Sequence, residues 1–330
     1  MADKMHKLKV AVVGTGVMGK FHVRNYSEIP EVELAAVCDV NEKEGKAIAS
    51  NFNCRFYKDY RDLAKNEELD IVSVAVPTKF HKEVAIFFLE NKVNVLLEKP
   101  IADTVENAEE IVEAAKRYKA KLAIGHVERF NPAVSKVKEL VDSGRLGTIN
   151  SIIVRRIGQY PIQIKDSDVV IDLAVHDIDI VNYLLGKLPT EITANCGKSI
   201  GEHKNDYADI FMKYGSTSAL IQVNWITPVK IRKLSINGSK GYLEMDYITQ
   251  DIDLYESNYD KVTDDFGDFV IKFGSPKVVK IDVKKEQPLR REILSFISAV
   301  KENKEPYVTT KQALDALKIA IKVSSFSAKK

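Results

Sequence analysis

The stretch KVAVVGTGVMG, residues 9–19, decides the fold of the chain. An apolar run enters a G-x-G-x-x-G turn, and a helical pattern begins directly after it. In such a unit the first glycine permits a tight turn, the second lets the backbone approach a pyrophosphate, and the third lets the helix pack against the strand. The stretch predicts a dinucleotide-binding turn, with candidate contact residues Gly14, Gly16, Val17, Met18 and Gly19.

Asp39 supports this interpretation, because it ends the next apolar run 20 residues after Gly19. An acid at that spacing can accept a hydrogen bond from the adenosine ribose 2′-hydroxyl, and its charge would repel a 2′-phosphate. The pattern therefore favours NAD over NADP as the cofactor. The alternative is a structural glycine turn in which Asp39 only caps a helix.

The first 126 residues alternate short apolar runs with longer amphipathic segments. The runs show little period-two alternation, which is typical of strands buried on both faces of a sheet. Strand–helix alternation predicts an α/β fold with a doubly wound parallel sheet. The predicted strands are 9–14, 33–39, 71–76, 93–98 and 122–126, and the predicted helices are 17–28, 41–51, 79–91 and 104–118.

The pattern changes after about residue 145, where longer segments alternate polar with apolar residues. This alternation predicts an antiparallel sheet with one covered face, and a helix at 169–186 would cover it. The charged stretch 256–285 is expected to form loops with a short strand or two. Two further helices are predicted at 289–303 and 309–325.

Composition limits the classes of function. A chain of 330 residues suffices for two domains, and a formal net charge of +2 gives no reason to expect a nucleic acid or a membrane as partner. Three cysteines without a C-x-x-C pair argue against a disulfide framework or a structural metal site. No apolar leader is evident, and no uncharged apolar stretch reaches about 18 residues, so we expect a cytoplasmic protein.

Polar residues follow two of the predicted parallel strands at their carboxyl ends, where ligands bind in such sheets. Pro77, Thr78 and His81 follow one strand, and Glu98 and Lys99 close the next. We expect these five residues to contact the cofactor. Taken alone, His81 could be a capping or packing residue, and Lys99 a solvated lysine.

The helix predicted in the second half is mostly apolar, yet Asp172, His176, Asp179 and Tyr183 share one face at helical spacing. A narrow polar band between apolar residues favours a site in a cleft over a solvated surface. His176 is the candidate proton acceptor, because imidazole titrates near neutral pH, and Asp172 could orient it or hold a substrate hydroxyl. The alternative is a helix with internal capping and pairing. Asp177, which lies off the band, is expected to be structural.

The segments GTGVMG (14–19), EKP (98–100) and DLAVHDID (172–179) occur in this order. Together they resemble the signatures of the glucose–fructose oxidoreductase/inositol dehydrogenase/MocA family over essentially the whole chain. The resemblance implies a cis Lys99–Pro100 bond and an open, mostly antiparallel sheet in the C-terminal α/β domain. It further implies an NAD-binding Rossmann domain at 1–126, a substrate-binding and oligomerisation domain at 127–305, and a C-terminal helix at 306–330 that packs back on the first domain.

The resemblance also implies a chemistry, namely hydride transfer from a sugar or polyol carbinol carbon to nicotinamide. Lys99, Asp172 and His176 match the catalytic set of the family. His176 would remove the hydroxyl proton, and Lys99 would stabilise the developing negative charge on the oxygen. Asp172 would fix the substrate or His176. The open sheet face implies a homodimer or a homotetramer.

A finer resemblance concerns GHVERFNPAV (125–134) and RRIGQYP (155–161), which are similar to segments of the nucleotide-sugar branch of the family. That branch includes UDP-N-acetylglucosamine 3-dehydrogenases. Basic residues could bind a diphosphate, although each could equally be a surface charge, and Asn131 could reach the sugar or the nicotinamide. The basic candidates are Arg129, Arg155, Arg156 and Lys165.

Three alternatives stay open beside a nucleotide-sugar 3-dehydrogenase. A polyol or free-sugar dehydrogenase of the inositol type would need no diphosphate contacts. A glycosidase that retains its NAD would give net hydrolysis without net NADH. A non-catalytic nicotinamide sensor would not need Lys99, Asp172 and His176 together.

Overall fold

The structure, a computed structural model, describes residues 7–161, 167–201, 204–257, 259–263 and 269–326. The chain divides into two compact units, Met1–Phe130 with Gln287–Lys318 and Asn131–Glu286 with Ile319–Lys330. The first unit is built from two separate segments of the chain, because 287–318 belongs with 1–130. The domain ranges expected from the sequence follow the chain in order and keep residues up to 305 in the second domain.

The helices and turns occur in the following order. The α-helices are α1 (Val17–Ser27), α2 (Glu42–Asn51), α3 (Tyr60–Asn66), α4 (His81–Glu90), α5 (Val105–Tyr118), α6 (Pro132–Asp142), α7 (Val175–Leu185), α8 (Pro288–Lys301) and α9 (Thr310–Ser324). Short 3-10 turns lie at Thr78–Phe80 and Val127–Phe130, and a π-helical turn lies at Val170–Ala174.

The strands are shorter in the first unit than in the second. The first unit has β1 (Leu8–Val13), β2 (Val32–Cys38), β3 (Arg55–Tyr57), β4 (Ile71–Val74), β5 (Asn94–Glu98) and β6 (Leu122–Gly125). The second unit has β7 (Ile149–Gln159), β8 (Glu191–Gly197), β9 (Tyr207–Tyr214), β10 (Thr217–Asn224), β11 (Ile226–Gly238), β12 (Gly241–Asp246), β13 (Ile252–Glu256), β14 (Tyr259–Thr263), β15 (Phe269–Phe273) and β16 (Lys277–Ile281).

The described part of the first unit contains one six-stranded sheet in the order β3-β2-β1-β4-β5-β6. All its strand pairs are parallel, so their carboxyl ends meet at one edge of the sheet. The strand order reverses beside β1. In sheets of this kind ligands bind outside the carboxyl ends at that reversal. The predicted doubly wound α/β fold is therefore confirmed.

Helix α8 completes the core of the first unit, although it lies far along the chain. Ile293, Phe296 and Ile297 of α8 pack in one buried cluster with Val23 and Tyr26 of α1 and with strand residues. Fully burying a large apolar side chain of this kind contributes about 1.5–3 kcal/mol. The burial of these side chains therefore holds α8 against the sheet that carries the predicted cofactor residues.

The second unit is built on an eight-stranded sheet in the order β16-β13-β12-β11-β7-β10-β9-β8. Neighbouring strands are antiparallel except β7 and β10, which are parallel. Side chains alternate between buried and exposed along β9 and β10. Helix α7 packs on β10 and α6 packs on β12, so one face of the sheet is covered. This confirms the open, mostly antiparallel sheet.

Some elements differ from the sequence predictions. Strand β3 and helices α3 and α6 were not predicted. A strand of three residues is too short to show a period, and α6 starts at a proline after a 3-10 turn. The stretch 256–285 carries β14, β15 and β16 rather than one or two strands. No helix among the described residues is both long and apolar enough to cross a membrane.

Candidate active site

The glycine-rich turn excludes side chains at two of its glycines and is open at the third. Gly14 has φ +91°, and a Cβ there would lie 2.5 Å from the carbonyl oxygen of Ala75. A Cβ on Gly19 would lie 1.8 Å from the carbonyl oxygen of Gly14. A Cβ on Gly16 would meet no atom within 4 Å. The backbone can therefore be approached at Gly16, as a bound pyrophosphate requires.

Helix α1 begins at this turn and presents an uncapped N-terminus. Its first turn holds no acidic residue, and no side chain caps Gly16. Val17 is exposed and Met18 is half-buried. Free backbone N–H groups and the positive end of the helix dipole favour an anion at this position. The turn therefore fits the diphosphate of NAD.

Asp39 follows β2 and contacts the glycine-rich turn directly. Its Oδ2 accepts hydrogen bonds from the backbone N–H and the hydroxyl of Thr15, at 2.6 and 2.8 Å. Its Oδ1 accepts the N–H of Asn41 at 2.8 Å. Asn41, not Asp39, caps helix α2. Asp39 thus supports the turn, and the half-buried carboxylate keeps an exposed part at which a ribose hydroxyl could bind.

The two loops after β4 and β5 carry the other predicted cofactor residues. Pro77 is exposed and Thr78 is half-buried. His81 is 1% exposed, and its Nδ1 and Nε2 lie 2.9 and 3.0 Å from the carbonyl oxygens of Pro100 and Val76. Both ring nitrogens therefore contact backbone. His81 therefore joins two loops, and burial lowers the pKa of its ring; its contact with the cofactor stays a prediction.

Glu98 and Lys99 lie at the carboxyl end of β5 in different surroundings. Glu98 is buried, and its Oε1 lies 2.8 Å from Nε2 of His22, a residue of α1 that the sequence analysis did not identify. Burial raises the pKa of Glu98. The hydrogen bond from His22 and the charges of His22, Lys99 and His81 together lower it by more, so the pKa of Glu98 lies below its usual value. Lys99 is half-buried, and the Lys99–Pro100 bond is cis, as the resemblance implies.

In the second unit, the predicted catalytic helix is not a continuous α-helix. Asp172 lies in the π-helical turn, whereas His176 lies in the first turn of α7. Asp179 is 2% exposed, whereas Asp172, His176 and Tyr183 are half-buried. The four residues of the predicted polar band thus differ in burial, and Asp172 lies in a different kind of helical turn from the other three. A π-helical turn changes the spacing of side chains around the axis and is frequent at functional sites.

Arg156 and Asp177 form a buried ion pair in the second unit. Nε of Arg156 lies 2.9 Å from both carboxylate oxygens of Asp177, and the guanidinium lies 4.9 Å from the ring centre of Tyr247. Asn131 donates to the carbonyl oxygen of Tyr247 at 3.0 Å and caps α6. Asp177 is thus structural, as predicted. Arg156 and Asn131, which the sequence analysis singled out, both contact Tyr247, which it missed.

The remaining basic candidates are dispersed. Arg129 is buried at the end of a 3-10 turn in the first unit, and Arg155 is exposed on β7. Lys165 lies outside the described residues. Within the described parts of the chain, no group of three or more His, Cys, Asp or Glu residues could hold a metal ion.

Comparison with protein families gives two matches. A model described as an oxidoreductase family with an NAD-binding Rossmann fold matches residues 8–126. A second model, described as a Gfo/Idh/MocA C-terminal domain, matches residues 134–244. Together the two matches span most of both units.

Individual relatives agree with these matches. UDP-N-acetylglucosamine 3-dehydrogenase of Acidithiobacillus ferrooxidans is 27% identical over 299 residues, which is 90% of each chain. Inositol 2-dehydrogenase 2 of Saccharopolyspora erythraea is 33% identical over 206 residues, 61% of each chain. The solved structure of the Acidithiobacillus ferrooxidans enzyme superposes with a TM-score of 0.85 over 98% of both chains at 24% identity.

Proposed function

Because the chain belongs to the Gfo/Idh/MocA family of NAD-binding oxidoreductases, we propose that it oxidises the 3-hydroxyl of UDP-N-acetylglucosamine or a related UDP-sugar. The observation that supports this substrate is the similarity to a UDP-N-acetylglucosamine 3-dehydrogenase over 90% of both chains. The intact Lys99, Asp172 and His176 support a catalytic rather than a sensing role.

The residues of the first unit bind the cofactor and support the developing alkoxide. When bound, NAD supplies the acceptor for the hydride of the carbinol carbon. Gly16 and the N-terminus of α1 hold the diphosphate, and Asp39 accepts from the adenosine ribose. Thr78 and Glu98 remain proposed cofactor-side residues. Lys99 donates a hydrogen bond to the reacting oxygen and stabilises its negative charge.

The residues of the second unit take the proton. His176 accepts the proton of the substrate hydroxyl, and Asp172, one turn earlier, orients the imidazole or holds a neighbouring hydroxyl. Arg155 lies two residues from Ile153 on β7 and therefore points to the open face of the sheet, away from α7, so we do not assign it to the diphosphate. Arg156 is committed through its Nε to Asp177, so a substrate contact of Arg156 would add to a structural ion pair.

The first test is a survey of substrates. The protein is incubated with NAD and, separately, with UDP-N-acetylglucosamine, other UDP-sugars, free sugars and myo-inositol, while the absorbance of reduced nicotinamide is followed. A 2-oxo acid acceptor is added in parallel, because a cofactor that stays bound would otherwise hide turnover. We expect turnover with a UDP-sugar. No reduction of NAD with any UDP-sugar, with or without the acceptor, would refute the proposal.

The second test assigns the site. We expect Lys99→Ala and His176→Ala each to lower kcat by about 10²–10⁴-fold while NAD still binds, because each removes a group acting on the reacting oxygen or its proton. Lys116→Ala, the same change at an exposed lysine of α5, serves as the control. Wild-type rates in both site variants would show that the assignment is wrong.

A second candidate function is a polyol dehydrogenase of the inositol type. The observation that favours it is the 33% identity to an inositol 2-dehydrogenase over 61% of the chain. The survey of substrates separates the two, because an enzyme of the inositol type would reduce NAD with myo-inositol and not with a UDP-sugar. A substitution of Arg156 would not separate them, because it would also break the buried pair with Asp177.

We also propose that the open face of the eight-stranded sheet builds a homodimer or a homotetramer. Phe211, Leu220 and Ile153 stand in register on three adjacent strands of this face, and they are 42%, 41% and 36% exposed. Exposed apolar side chains in one row favour association with a second copy.

A further inference from the structure

The turn that carries Lys99 is held on both sides by buried histidines. His22 contacts the side chain of Glu98, and His81 contacts the carbonyl group of Pro100. We propose that His22 and His81 are positioning residues for Lys99, which fix its backbone and keep a carboxylate beside it. This inference rests on the proposed catalytic role of Lys99.

The contact of His22 with Glu98 is a short, buried hydrogen bond to a carboxylate. His22 is 1% exposed and lies on α1, one turn after the glycine-rich turn, and the Nε2–Oε1 distance is 2.8 Å. A hydrogen bond to an ionised acceptor is roughly twice as strong as a neutral one. The neighbouring carboxyl of Glu292 is the one whose pKa is raised, first by burial and then by the charge of Glu98. The anion of this cluster is therefore Glu98, the residue directly before Lys99.

The contact of His81 acts from the other side of Lys99. Its ring lies between the carbonyl oxygen of Val76, after β4, and that of Pro100, after β5. One side chain thus joins the two loops that follow neighbouring parallel strands. Burial lowers the pKa of His81, so its neutral ring donates through one nitrogen only. Donation from Nδ1 to Pro100 is the arrangement that would position Lys99.

The need for such support follows from the chemistry of a lysine. The ammonium group ends a flexible four-carbon chain, so its position depends on how firmly the backbone below it is held. A displacement of about 1 Å in a reacting site can lower the rate by about 10²-fold. Two buried contacts on the residues flanking Lys99 restrict that displacement without touching the substrate.

The test uses the same two substitutions at both histidines. A glutamine amide reaches about as far as Nε2 of histidine, and an asparagine amide about as far as Nδ1. At position 22 we therefore expect His22→Gln to keep function and His22→Asn to lose it. At position 81 we expect His81→Asn to keep function and His81→Gln to lose it, because Nδ1 makes the bond to the carbonyl oxygen of Pro100. Tyr26→Phe is the matched control, since it removes a buried 2.8 Å hydrogen bond to Ser73 from the same helix without touching Glu98.

Two measurements are made on variants that remain folded by circular dichroism and still bind NAD. The first is kcat and KM. We expect His22→Asn and His81→Gln to lose about 10²-fold in kcat with little change in KM. The second is the rate at which acetic anhydride modifies Lys99, measured by mass spectrometry relative to Lys116. We expect this rate to rise several-fold in His22→Asn and His81→Gln and to stay at the wild-type value in Tyr26→Phe.

The modification rate does not depend on knowing the substrate, so it separates the two proposals. Failure to find any sugar substrate, together with altered modification of Lys99, would refute the proposed function and keep the positioning roles. An unchanged modification rate of Lys99 in both His22→Asn and His81→Gln would overturn the positioning roles. The positioning roles would also be overturned if the same substitution, Asn or Gln, preserved kcat better at both positions.

Discussion

The buried carboxyl group of Glu292 makes a prediction at the scale of a single residue. It is 2% exposed, and neither oxygen has a hydrogen-bond partner in the part of the chain that the structure describes. Burial and the charge of Glu98 raise its pKa well above 4.5, so the folded state keeps a proton that the unfolded chain releases. Stability therefore falls as the pH rises above about 4.5 through the folded pKa, by up to about 1.4 kcal/mol per pH unit.

We expect Glu292→Gln to remove this loss, because a neutral amide has no proton to release. Its free energy of unfolding, measured in urea between acidic and mildly alkaline pH, should fall less with rising pH than that of the wild type. Glu305→Gln, the same change at an exposed residue, is the control. Equal pH dependence in wild type and Glu292→Gln would show that Glu292 is ionised in the fold.

Asp39 makes a prediction about the choice of cofactor. Asp39→Asn keeps one oxygen that can accept both hydrogen bonds from Thr15, loses the bond from the N–H of Asn41 and removes the charge that would repel a 2′-phosphate. Asp39→Ala also removes both bonds to the glycine-rich turn. We expect both variants to weaken the preference for NAD over NADP, by about tenfold if the repulsion is about 1.4 kcal/mol. Dissociation constants for the two cofactors provide the measurement. An unchanged preference would count against the ribose role of Asp39.

At the scale of elements, Asp168 holds the start of the helix in the second unit that carries the proposed catalytic residues. Its Oδ1 accepts the N–H groups of Val170 and Ile171 at 3.0 Å, and its Oδ2 accepts from Asn205 and Ser324. One carboxylate thus caps the π-helical turn and ties it to the end of α9. The turn that holds Asp172 is therefore attached to the rest of the second unit.

We expect Asp168→Ala to lower the free energy of unfolding by about 1–3 kcal/mol, because it leaves helix N–H groups without their cap. Ser324→Ala removes only one of the four contacts and should cost about 1 kcal/mol. Urea unfolding of both variants provides the comparison. A smaller effect for Asp168→Ala than for Ser324→Ala would contradict the capping role.

Element positions were predictable where the hydrophobic period was regular. The strands from β1 to β6, apart from β3, and helices α1, α2 and α5 were predicted within one or two residues, because buried parallel strands and amphipathic helices leave clear patterns. The π-helical turn at Val170–Ala174 was not predicted, because the hydrophobic pattern of a helix is judged on 3.6 residues per turn. The predicted band from Asp172 to Tyr183 therefore crosses from a π-helical turn into an α-helix, which the sequence analysis did not foresee.

At the scale of the whole molecule, the open sheet face makes the last prediction. We expect the wild type to sediment as more than a monomer and Leu220→Glu to sediment as a monomer, because a charge in the exposed row opposes burial in an interface. Leu188→Glu, at an exposed leucine outside the sheet, should leave the mass unchanged. Surface substitutions of this kind change the stability of the fold by only about 0.5 kcal/mol. An unchanged mass for Leu220→Glu would contradict the proposed interface.

The sequence by itself determined the local features of this protein. The glycine-rich turn, the buried strands and the EKP and D-x-x-x-H signatures are each defined within a few neighbouring residues, where backbone geometry and hydrophobic period leave a readable pattern. Only the tertiary structure decided which distant residues meet. His22 lies 76 positions from Glu98, and Arg156 lies 21 from Asp177. Such pairs depend on the folding of the chain around a shared core, and no local period records them.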